Sequence, residues 1–274
     1  MSQQQPIAAV VTTEGVQRYW DEHPLCASQI PFEIGAKDWF DHYDELREGI
    51  EPIDFSYELH EYRDFRGKKV LDVGCGNGYV LSKYAGEGAD VTGIDLTPTA
   101  VSICRQRFAL LELRGEFQVA DAQALPFASN TFDCVCSMGV LHHVPDTEKA
   151  VAEIWRVLKP GGRLIIMMYH RNSVQYQLKY RLVSLVKRRP MQELVNEFDG
   201  VGNPKGDVYS KKQLRRLLRA FEDVEMRIGF LEPLMFTRRL SYFVPRFALG
   251  VLQHRVGWNL YAKGRKSLFP REQA

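Results

Sequence analysis

The chain has 274 residues, 45% of them hydrophobic, and 36 Lys+Arg against 34 Asp+Glu, for a net charge of +2. That length and apolar content suit one large domain with a substantial core. No run approaches the roughly 18 apolar residues of a membrane-spanning helix, and the start, MSQQQPIAAVVTTEG, lacks the basic n-region of a secretory signal. The five cysteines (Cys26, Cys75, Cys104, Cys134, Cys136) show no zinc spacing, so no metal site is expected. An odd number of thiols inside apolar runs fits a reducing, cytoplasmic setting. Charge is unevenly placed: residues 1–169 hold 25 acids and 15 bases, residues 170–274 hold 9 and 21.

In chain order, residues 12–65 are rich in aromatics and charges and predict several helices forming a cap. Gly67-Lys68-Lys69 leads into a first strand near 69–73, and a helix is expected near 78–86. A second strand falls at 90–95. The next helix opens with Thr97 or Thr99 as N-cap and Pro98 in its first turn, and runs to about Phe108. Further strands are expected at 116–120 and 132–137; on the latter, Cys134 and Cys136 share one face and suit core packing. Thr147–Leu158 is amphipathic, with Val151, Ile154, Trp155 and Leu158 on one face, and Lys159-Pro160-Gly161-Gly162 should end it. A fifth strand at 163–169, a helix at 211–221, a sixth strand at 224–229 and a seventh at 258–263 follow. Strands alternating with helices predict a doubly wound, mostly parallel α/β sheet, whose ligands bind beyond the carboxyl ends of the strands.

Chemistry concentrates in Val70-Leu71-Asp72-Val73-Gly74-Cys75-Gly76-Asn77-Gly78, a strand running into a glycine-rich turn. Glycine permits a tight turn and close approach of backbone to a ligand. The following strand ends in Asp95, placed to accept hydrogen bonds from two ribose hydroxyls. The spacing is G-x-G-x-G rather than the dinucleotide G-x-G-x-x-G, and Asp72 would repel a pyrophosphate. It suits a ligand carrying an ammonium and a sulfonium, as S-adenosylmethionine does. In these residues the chain resembles the class I S-adenosylmethionine-dependent methyltransferases.

The resemblance extends over about residues 68–168. Phe132-Asp133-Cys134-Val135 with Leu141-His142-His143, and Arg156-Val157-Leu158-Lys159-Pro160-Gly161-Gly162, are similar to segments of small-molecule methyltransferases, nearest to the ubiquinone/menaquinone type. It implies a seven-stranded sheet whose last strand is antiparallel. It also implies a cofactor site built from Asp72, Gly74, Gly76, Gly78, Asp95, Leu96, Asp121, Ala122 and Met138, with Asp121 accepting from the adenine amine and the next backbone N–H reaching a ring nitrogen. His142 and His143 leave the fourth strand beside the expected methyl donor. Either could take a proton from an acceptor, with His143 favoured, or merely pack the loop. Ser137-Met138-Gly139-Val140 stands where a [DN]-P-P-[YF] clamp would be, which argues against amino methylation of a flipped base. No Pro-Cys nucleophile suggests C5-pyrimidine chemistry.

The domain layout expected is a single domain: cap 12–65, core 66–169, insertion 170–209, helix and strand 210–229, insertion 230–257, last strand 258–266. The first insertion has no acid from 171 to 190, and both interleave Arg and Lys with apolar residues. They could line a pocket for a lipophilic acceptor, or give peripheral membrane contact through 170–189 and 234–255. The expected function is methyl transfer to a small acceptor such as a quinone or phenol. Methylation of RNA or protein through the basic half, and a non-catalytic cofactor-binding scaffold, are the alternatives. Oligomeric state is left open.

Overall fold

The computed structural model describes residues 11–25, 29–231 and 252–268. One sheet organises it, in the order β3-β2-β1-β4-β5-β8-β7, with a short β6 paired to β5. The strands are β1 (Lys69–Val73), β2 (Asp90–Asp95), β3 (Glu116–Val119), β4 (Phe132–Met138), β5 (Leu158–His170), β6 (Val208–Tyr209), β7 (Phe221–Gly229) and β8 (Asn259–Lys266). Pairing is parallel from β3 through to β6, and β8 runs antiparallel between β5 and β7. The expected seven strands are all present, with the last antiparallel.

Two apolar layers enclose the sheet. α4 (Tyr79–Gly86) and α5 (Pro98–Leu110) cover one face together with α2 (Lys37–Ile50) and α3 (Ile53–His60) of the cap, and α1 (Thr13–Glu22) rests against α5. α6 (Thr147–Val157) and α9 (Lys211–Leu217) cover the other. Cys134 and Cys136 lie fully buried in the first layer, as the packing reading expects. Thr97 caps α5 through its hydroxyl, which accepts from Ala100 N at 3.2 Å. The insertion after β5 is helical: a wide turn at Gln175–Tyr180, then α7 (Arg181–Lys187) and α8 (Met191–Asn196). Most of the second insertion, 232–251, lies outside the described residues.

Boundaries differ from the sequence reading at three places. β5 begins at Leu158, not after the glycine pair, because Leu158 already pairs with Phe132 and a register shift absorbs Lys159–Gly162. Leu158 is therefore strand, while Trp155 is only partly buried and carries Lys266 Nζ 4.0 Å above its ring. α9 ends at Leu217, and β7 starts at Phe221, which pairs with Lys266 ahead of a bulge between Glu222 and Glu225.

Gly78 shows what the third glycine of the turn does. Its φ is +80°, and a Cβ there would stand 2.7 Å from Cys104 Sγ on α5. Gly78→Ala is expected to destabilise the fold by about 1–2 kcal/mol from the left-handed backbone alone, and further from the contact. Urea unfolding should give a lower midpoint with an unchanged slope; a midpoint equal to the parent's would contradict this role.

Candidate functional site

The carboxyl ends of β1 to β5 open into one cavity of about 340 Å³. At the β1 exit, the N–H groups of Gly74 and Cys75 donate to the Ile94 carbonyl at 2.8 and 2.9 Å, folding the turn against β2. Gly74 has φ +80°, and a Cβ on it would strike Val140 at 2.4 Å. Gly76 has φ +51°, and nothing stands within 4 Å of where its Cβ would be, so its backbone faces open space at the cavity edge.

Asp95 pins this turn. Its Oδ2 accepts from Gly76 N at 3.1 Å, and its Oδ1 from the Thr97 backbone and hydroxyl at 3.0 Å each. Burial raises its pKa against those donors. Asp72 is the contrasting case. It is 3% exposed and its Oδ1 has no hydrogen-bond partner. Burial first, then the charge of Asp95, push its carboxyl up to about 7, against a thiol contact from Cys136 and the distant charge of Arg47. Arg47, also at the cavity wall, is already held by Glu51 at 2.7 Å, and Glu51 accepts from Tyr261 at 2.7 Å.

Of the residues singled out in the sequence, Asp72, Gly74, Gly76, Asp95, Leu96, Asp121, Ala122, Met138 and His143 all line this cavity. Gly78 and His142 do not; Gly78 packs on α5, and His142 lies behind His143 with ring centroids 4.1 Å apart. The Asp121 carboxylate is engaged by the Gln123 backbone and side-chain amide at 2.8 to 3.1 Å.

The far end of the cavity holds a second polar group that the motifs did not reveal. His143 Nδ1 donates to the Lys205 carbonyl, which fixes the tautomer and leaves Nε2 as the basic nitrogen. Nε2 stands 3.5 Å from Asp199 Oδ2. Asp199 Oδ1 accepts from Tyr169 at 2.6 Å, and its backbone carbonyl from Tyr19 at 3.1 Å. Burial holds both His143 and Asp199 toward their neutral forms. Lys205 fastens the segment from the other side, its Nζ donating to the carbonyls of Val144 and Pro145. Trp20 meets the His143 ring edge-on at 4.9 Å, and Phe198 and Trp258 extend the apolar wall. Asp199 lies in the insertion, 56 positions from His143, so no local pattern could have joined them.

The sequence and the fold have counterparts among known proteins. The family described as "Methyltransferase domain" matches residues 71–166. That match spans 96 residues, about a third of the chain. A ubiquinone biosynthesis O-methyltransferase of Alkalilimnicola ehrlichii is 32% identical over 148 residues, 53% of this chain and 60% of that protein. The chain thus spans under two thirds of that relative's length. A SAM-dependent methyltransferase of Methanosarcina mazei superposes with a TM-score of 0.57 at 24% identity, covering 77% of this chain and 98% of the other. The [4+2]-cyclase SpnF gives 0.60 at 23% identity, covering 97% and 100%. At these identities the structural likenesses establish the fold alone.

Proposed function

We propose that the protein transfers a methyl group from S-adenosylmethionine to a hydroxyl of a small lipophilic acceptor such as a phenol or quinol. One observation carries this reading: a single cavity has an anionic glycine cradle at one end and the His143–Asp199 pair at the other, with apolar and aromatic walls between. The residues fit the cofactor. Asp72 offers a buried, unpartnered oxygen to an ammonium, Asp95 keeps acceptor capacity for ribose hydroxyls, and the open face of Gly76 leaves room for close approach. The Alkalilimnicola relative's name supports an oxygen nucleophile.

Bound there, S-adenosylmethionine would supply an electrophilic methyl group on a sulfonium. The protein's own task is then to orient the acceptor and receive its proton. The aromatic walls orient a flat apolar molecule, and fixing two reactants in line can be worth roughly 7–11 kcal/mol. His143 Nε2 takes the hydroxyl proton, while its Nδ1–H stays on the Lys205 carbonyl.

Membrane contact through 170–189 belongs to the same reading. Leu178, Leu182, Leu185 and Val186 are 59–78% exposed. Lys179, Arg181, Lys187 and Arg188 form no ion pair among the described residues. On the inward side Tyr180 packs 6.2 Å from Trp258 of the cavity wall. Among the described residues no helix is long and apolar enough to cross a membrane. The second segment expected to take part, 234–255, falls largely outside the described residues.

Three measurements test the proposal. A cationic ligand prefers ionised Asp72, whose carboxyl stays protonated below about 7 in the free protein. Affinity for S-adenosylmethionine, followed by calorimetry, should therefore weaken by up to about tenfold per unit as pH falls below 7, and level off above it. Asp72→Asn should bind weakly and lose this dependence; an unchanged profile would remove Asp72 from the cofactor site. With alkylated hydroquinones as acceptors, His143→Ala should cut kcat by roughly 10²–10⁴ while leaving cofactor affinity intact. Equal kcat would return His143 to packing. Vesicles containing anionic lipid should sediment the protein at low salt, and Leu185→Glu with Val186→Glu should abolish this; equal retention by neutral vesicles would count against the basic helix.

A further inference from the structure

We infer that His142, His143 and Asp199 form a binding site for one divalent transition-metal cation, zinc foremost, in the wall of the acceptor cavity. One ligand atom from each of the three side chains lies within 4.8 Å of the others. Both ring nitrogens of His142 and the Oδ2 of Asp199 are buried without a hydrogen-bond partner. His143 offers a lone pair on Nε2, because Nδ1 donates to the Lys205 carbonyl. Nε2 and Asp199 Oδ2 stand 3.5 Å apart without a hydrogen bond between them. Two ligand atoms about 2.1 Å from a tetrahedral ion are about 3.4 Å apart. The pair is therefore spaced for a cation between its members.

The surroundings match those of ligating groups. A metal-bound imidazole usually donates its other N–H to a carbonyl, and a ligating carboxylate is itself hydrogen-bonded. His143 does the first through Lys205, and Asp199 does the second through Tyr169 at 2.6 Å. The one nearby lysine, Lys205, turns its ammonium to Val144, Pro145 and Asp207 instead of neutralising the pair. A simple ion pair of His143 with Asp199 would leave both nitrogens of His142 unused, whereas a cation employs one of them. Two imidazoles and a carboxylate suit zinc with an open fourth position. His143 and Asp199 line the cavity and His142 stands behind them. The open position therefore faces the acceptor. With Nε2 on the cation, His143 no longer takes the acceptor proton; the bound cation would instead hold the acceptor oxygen and favour loss of its proton to solvent, a point that rests on the proposed function. It departs from the sequence expectation of no metal, which weighed only cysteine spacing.

The test uses untagged protein stripped with EDTA, dialysed, and titrated with zinc chloride in competition with a chromophoric chelator. One equivalent should bind and raise the melting temperature. Asp199→Asn should weaken binding at least 100-fold, and Tyr169→Phe, which removes only the supporting hydrogen bond, by about 10–100-fold. Absence of one-to-one binding, or equal binding by folded Asp199→Asn and Tyr169→Phe, would overturn the site. Calorimetry with S-adenosylmethionine on the same stripped protein keeps the two ideas apart: cofactor binding without zinc binding would leave the methyltransferase reading standing and remove only the metal.

Discussion

Two carboxyl groups stand at the carboxyl ends of neighbouring parallel strands, and the fold must settle their charge. Asp72 is the last residue but one of β1 and Asp95 the last of β2, and the two strands pair residue for residue from Lys69 with Asp90 to Val73 with Ile94. Both are removed from water, and burial disfavours ionisation in each. The protein answers them differently. Asp95 receives three donors, which is why the turn must bring Gly76 N within reach and why Thr97 begins α5. Asp72 receives no comparable set, and Arg47, the cation on the same cavity wall, is committed to Glu51. A buried carboxyl without compensation is costly unless a ligand supplies the charge. The glycine turn and the start of α5 thus follow from answering Asp95, while Asp72 is left without a partner on Oδ1.

The same logic explains what the sequence could tell. β1 and β2 were legible to the residue because a strand buried on both faces is a continuous apolar run, and here each run is closed by an acid or a glycine. The residues that line the glycine-turn end of the cavity were legible because they belong to one or two turns each. β5 and β7 start earlier than their apolar runs because pairing partners, Phe132 and Lys266, extend them through irregular register. The opposite end of the cavity was half legible: His143 stood out, Asp199 did not. Asp199 sits in an insertion whose position depends on contacts with the β4 exit, made by Lys205 and by the Asp207 N–H to the His142 carbonyl. Such contacts leave no periodic trace.

One helix bears on both ends of the cavity. On the cofactor side, α1 holds the Leu96 carbonyl through Gln17 at 2.8 Å and the Thr99 N–H through Asp21 at 3.2 Å. Thr13 accepts from Gln123, the residue that also grips Asp121 and accepts from Asp146 N. On the acceptor side the same helix sets Trp20 against His143 and Tyr19 on the Asp199 carbonyl. A ten-residue helix is marginal alone, so its order comes from these contacts. Whatever steadies the exits of β2 and β3 steadies α1, and with it the wall that faces the acceptor. Under the proposed function, a coupling carried by this helix would be mutual, because linkage gives each end the same effect on the other. α1 thus joins, by direct contact, the exits of β2 and β3 to the wall that carries His143 and Asp199.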